Sequence, residues 1–93
     1  MTHKIFKYPL HVKEKQELTL PAGAKIIRAE DVDGLLFLWA IVNTNPDHPK
    51  EVRYIEFYKT GQPIDKPDEL VYIGLCKVFI MMELGLYCFE RLR

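Results

Sequence analysis

A chain of 93 residues fits one domain and not two, and at this length it buries only about 60–65% of its unfolded surface, so its core is thin. A hydrophobic content of 48%, with five Phe, five Tyr and one Trp, compensates, because aromatic side chains bury the most area per residue. Thirteen basic and thirteen acidic side chains cancel, which argues against a general nucleic-acid binder.

Period and punctuation then give the elements in chain order. Phe6, Tyr8, Leu10 and Val12 alternate with Lys7, Pro9 and His11, the period-two pattern of a half-buried strand. Pro9 lacks an N–H, which suits an edge strand or a bulge. Leu18 and Leu20 mark a second short strand, ended by Pro21-Ala22-Gly23. Asp33-Gly34 between two hydrophobic runs predicts a type I′ hairpin joining Ala24–Val32 to Leu35–Val42. The register of such a turn sets Val32 opposite Leu35, Glu30 opposite Phe37, Arg28 opposite Trp39 and Ile26 opposite Ile41. Ile27, Ala29, Leu36, Leu38 and Ala40 then share the other face. The second strand is apolar on both faces, which points to a central or doubly covered position.

Residues 43–50 (NTNPDHPK) read as a loop, Val52–Tyr58 as a strand and 59–69 as a second loop. Leu70–Ile80 is strand-like, with Gly74 at a bulge. Met81–Glu83 offers a turn, with a short helical turn as the alternative, and Leu84–Phe89 a last strand. About seven strands at this spacing predict an all-β fold, a small antiparallel β-sandwich or partly open barrel, formed by a single domain over residues 1–93.

The chain contains no serine, which removes Ser-His-Asp chemistry. Cys76 and Cys88 lie in apolar strands, where burial keeps a thiol neutral and inert. A turn at Met82 would bring them opposite each other, as two small core residues or, less readily in a reducing compartment, as a disulfide. Asp31-Val32-Asp33-Gly34 resembles the start of a calcium loop but lacks the closing Glu, and His3, His11 and His48 have no partner at metal-ligand spacing. Phosphate-binding glycine motifs are absent, and Lys59-Thr60-Gly61 reads as a turn that can still offer amides and an ammonium to an anion. The carboxylate pairs Glu30/Asp31 and Asp65/Asp68 read as solvated charge. No catalytic residue, metal or cofactor is expected. The longest hydrophobic stretch, eight residues from Leu35 to Val42, is far short of the ~20 a membrane helix needs.

One constellation is aromatic and basic. Residues 1–28 carry six Lys/Arg against two Glu, and several of these cations neighbour Phe6, Tyr8 and Trp39. Arg28 opposite Trp39 permits cation–π stacking, either as an arginine covering a core tryptophan or as part of a pocket for a nucleotide or a protein. The candidate ligand-binding residues are Lys7, Tyr8, Arg28, Trp39 and Lys59. The apolar run of Ile80, Met81, Met82, Leu84 and Leu86 at a turn predicts a contact surface and a homo-oligomer.

The succession IFKYPL, LTLPAGAKII, LFLWAIV, TGQPI, YIG and CFE resembles a family of short uncharacterised proteins of tailed bacteriophages, over roughly residues 4–90. The resemblance implies phage origin and a location in the host cytoplasm. It leads to the expectation of a non-enzymatic accessory protein that binds a host immune protein or sequesters a nucleotide signal, or alternatively of a minor virion or assembly component.

Overall fold

The structure is a computed structural model and describes residues 2–92. Seven strands follow in order: β1 (His3–Leu10), β2 (Lys15–Pro21), β3 (Lys25–Val32), β4 (Leu35–Asn43), β5 (Lys50–Tyr58), β6 (Leu70–Ile80) and β7 (Met82–Arg91). They form two antiparallel sheets, β1-β4-β3 and β2-β5-β7-β6, stacked as a sandwich of 44 × 32 × 16 Å. The fold is all-β, as the strand spacing predicts, and the only helical element among the described residues is a 3-10 turn over Pro67–Glu69.

The core is read from alternation. In β4, Leu36, Leu38, Ala40 and Val42 point inward and are buried, while Phe37, Trp39 and Ile41 point outward and are half-buried. Opposite them, Ile55 and Phe57 of β5, Cys76 and Val78 of β6, and Leu86 and Cys88 of β7 close the interior. Each Leu, Ile, Val or Phe among them contributes about 1.5–3 kcal/mol on removal from water.

The β3–β4 hairpin follows the sequence expectation at its tip. Asp33 (φ 52°) and Gly34 (φ 80°) both sit in the left-handed region, as a type I′ turn requires. Val32/Leu35, Glu30/Phe37 and Arg28/Trp39 pair as the turn dictates. The expected Ile26/Ile41 pair does not form. A register shift between Ile26 and Arg28 sets Ile26 opposite Ala40, where it packs on the core, and leaves Ile27 42% exposed instead of inward. A bulge thus converts the second isoleucine of the Ile26-Ile27 pair from a core residue into a surface one.

The β6–β7 hairpin also differs from expectation. It turns at Met81 (φ 64°), one residue before the turn at Met82, and no helical turn forms there. Cys76 therefore faces Leu86, and Cys88 faces Gly74. Both cysteines are buried free thiols. Burial pushes Cys76 up to about 11 and Cys88 further still, so neither is a thiolate near neutral pH.

Gly74 explains how the sheets meet. A Cβ there would lie 2.4 Å from the backbone oxygen of Ala29, so only glycine lets the edge strands β3 and β6 come together. Asp31 reinforces the corner, its carboxylate accepting the Lys77 N–H at 2.8 Å. Its role is thus to join two strands. The opposite edges, β1 and β2, remain open, so the sandwich closes at one side only.

Candidate functional site

The two sheets treat their outer faces differently. On the four-stranded sheet, Glu56, Tyr58 and Arg91 point away from the interior yet are buried, because the 59–69 segment folds over them. Arg91 holds that cover. Its Nε and Nη2 donate to the two oxygens of Glu56 at 2.6 and 2.9 Å. Nη2 also donates to the Asp65 carbonyl at 2.8 Å, and Nη1 to the Lys66 carbonyl at 3.1 Å. Tyr58 donates its hydroxyl proton to Glu56. The Arg91 hydrogen bonds hold the Glu56 carboxyl below the usual carboxylate range, and burial, with Glu56 next, raises Tyr58. On the inner side, Arg53 pairs with Glu90 and donates to the Ala24 carbonyl at 2.8 Å, anchoring the β2–β3 connection. Among the described residues, no buried side-chain nitrogen or oxygen lacks a partner. These clusters are saturated by their own hydrogen bonds and read as structure.

Neither cluster is evident from the sequence. The available signal was a single Glu set between Ile55 and Phe57 in a strand otherwise rich in apolar side chains, and an Arg directly after Glu90. Successive residues of a strand face opposite ways, so Glu90 and Arg91 serve opposite sides of one sheet.

The outer face of the three-stranded sheet has no such cover. Pairing sets Ile5, Lys7 and Pro9 of β1, Phe37, Trp39 and Ile41 of β4, and Lys25, Arg28 and Glu30 of β3 on one surface. The Arg28 guanidinium stacks over the Trp39 ring at 4.9 Å and the Lys7 ammonium over the Phe37 ring at 4.5 Å. The two rings lie 6.2 Å apart, tilted by 56°. Arg28 also pairs with Glu30. Lys7, Arg28 and Trp39 are thus brought together as the hairpin register implies.

Tyr8 and Lys59 are not part of this surface. Tyr8 follows Lys7 by one residue, so it points to the opposite face, where it packs against the core and burial raises its pKa. Lys59 belongs to the other sheet's side, at an open groove of about 810 Å³ lined also by Gln62, Lys77 and Tyr87. The KTG segment there is a turn, closed by the Gln62 N–H donating to the Lys59 carbonyl at 3.1 Å with Gly61 at φ 85°. Five clefts among the described residues are lined by side chains other than Lys7, Tyr8, Arg28 and Trp39. Among the described residues, no group of three or more His, Cys, Asp or Glu could hold a metal ion. No described helix is long and apolar enough to cross a membrane.

Fold and surface together define a two-sheet β-sandwich domain in which the 59–69 segment covers the Glu56, Tyr58 and Arg91 part of one outer face, while no segment folds over the Phe37 and Trp39 part of the other. The chain belongs to the DUF7352 family, described as a domain of unknown function, whose model matches residues 1–91. No curated protein and no solved structure matches it.

Proposed function

We propose that this is a non-enzymatic binding protein that recognises an acidic protein surface through the outer face of its three-stranded sheet. The observation that carries this reading is the outward-facing group of Phe37 and Trp39, half-buried, with Lys7 and Arg28 over their rings. Arginine and large aromatic side chains are enriched where proteins contact one another, and Lys and Arg on the flanking strands favour carboxylates opposite. A nucleotide is the poorer ligand. The ring faces on which a base would stack are already met by this chain's own cations, Lys7 over Phe37 and Arg28 over Trp39. The resemblance to proteins of tailed bacteriophages carries no activity of its own; a host immune protein as the partner, inhibited in the host cytoplasm, is the reading it supports for a small binding protein.

Affinity capture from host lysate with wild type and with Arg28→Glu tests the proposal. A partner held by wild type and lost by the variant supports it. Equal retention by both, or measurable calorimetric binding of a cyclic or linear nucleotide with no protein captured, defeats it.

The alternative, a virion or assembly component, is favoured by the β6–β7 tip, where Phe79, Ile80, Met81 and Met82 are all largely exposed. Mass spectrometry of purified virions separates the two: a protein acting on host immunity is scarce there, and a structural component is present in fixed copy number.

A further inference from the structure

Strand β1 is an edge whose exposed groups follow a symmetric pattern. The Thr44 N–H donates to the Thr2 carbonyl at 2.6 Å, which marks Thr2/Thr44 as a hydrogen-bonded pair of the β1–β4 ladder. Alternation then directs the N–H and C=O of Lys4, Phe6, Tyr8 and Leu10 toward β4. Those of His3, Ile5 and Lys7, with the carbonyl of Pro9, point away from the sheet, where β1 has no neighbouring strand. Pro9 has no N–H to offer, so the outward donors are His3, Ile5 and Lys7, centred on Ile5. The side chains along this stretch are as uncovered as the backbone: Ile5 is 60% exposed on one face and Phe6 44% on the other.

We propose that β1 pairs antiparallel with β1 of a second copy about a two-fold axis through Ile5, joining the two three-stranded sheets into one of six strands. In this register Ile5 faces its symmetry mate, His3 faces Lys7 of the second copy, and Lys4 faces Phe6. All outward donors find acceptors, and neither Pro9 enters the new ladder. The neighbouring registers fail on the same chemistry. An axis through Lys4 puts two ammonium groups directly opposite each other, at the closer spacing of a non-hydrogen-bonded pair. An axis through Phe6 drives each Pro9 ring against a carbonyl of the second copy's His3. Lys4, Lys7 and Pro9 would ordinarily guard an edge against pairing. Here they leave one register open. This inference uses the backbone edge of β1, whereas the proposed function uses the side chains of Lys7, Phe37, Arg28 and Trp39 on the adjoining face, so Ile5→Pro and Arg28→Glu test the two separately.

Light scattering of the full chain is expected to give twice the chain mass of 10.9 kDa. Ile5→Pro is expected to give the monomer mass with an unchanged circular-dichroism spectrum, since the Ile5 N–H points away from β4 and the substitution removes only the new ladder. Register is read separately by cysteine cross-linking under mild oxidation. Ile5→Cys is expected to form a symmetric disulfide, its Cα separation of about 5.5 Å lying within disulfide range. Lys4→Cys and Phe6→Cys are expected to cross-link at least tenfold more slowly. A monomeric wild type at its highest soluble concentration would overturn the proposal. So would a dimer whose mass survives Ile5→Pro, or preferential cross-linking at position 4 or 6.

Discussion

The two outer faces of this sandwich start from similar material and end differently. Both carry aromatic rings and an arginine. On the four-stranded sheet Arg91 reaches to Glu56 on the neighbouring strand and across to the carbonyls of Asp65 and Lys66, and the 59–69 segment is held down over Tyr58. On the three-stranded sheet Arg28 lies over Trp39 with more than half of its side chain exposed. The first arginine completes the fold, whereas the second is paired with Glu30 and keeps more than half of its side chain in water. Residue type alone does not separate structure from recognition. What separates them is whether the hydrogen-bonding capacity of the charged group is used up within the chain.

Substitutions on the covered side are expected to have the largest effects. Glu56→Ala leaves the Arg91 guanidinium without its carboxylate and is expected to cost about 3 kcal/mol, read by urea denaturation. Limited proteolysis is expected to cut within residues 59–69 of this variant while sparing them in wild type. Gly74→Val forces a side chain against the Ala29 backbone and is expected to lose about 3 kcal/mol, at the upper end of overpacking costs. Loss confined to a few tenths would show that the β3/β6 corner is loose.

Acid provides a gentler break of the same side. The Glu56 carboxyl is held below its ordinary value in the folded state, so the ion pair's stabilisation is fully present above the unfolded value. It is lost as pH falls through the folded value. Wild-type Tm is therefore expected to drop on acidification below about pH 4.3, and Glu56→Gln to show a shallower decline over the same interval. Parallel curves would contradict this.

The buried thiols give the smallest signal. Native protein is expected to react slowly with a thiol reagent, and denatured protein to titrate two thiols per chain. Zero reactive thiols after denaturation would contradict the free state of Cys76 and Cys88.

Legibility in the sequence followed the range of the interactions. The Asp33-Gly34 turn and the Arg28/Trp39 pair are local, fixed by a two-residue loop and the period of a strand, and both were readable. The bulge at Ile27 was not, since nothing in KIIRAE distinguishes which isoleucine faces in until β4 lies beside it. The meeting of Gly74 with Ala29 and the Arg91 cluster join residues far apart in the chain. For the same reason Lys59 could not be assigned to a face before the sheets were assembled, and Tyr8, one residue from Lys7, falls on the side that alternation requires.

The proposed function requires that Trp39 contribute more to recognition than to folding. Paired measurement of Tm and partner retention on Trp39→Thr tests this most directly, with Leu38→Ala, its buried neighbour on β4, as the scale. The expected result is a stability loss of about 1 kcal/mol, against about 3 kcal/mol for Leu38→Ala, with the captured partner gone. A loss equal to that of Leu38→Ala, or a partner still held by the folded variant, would contradict it.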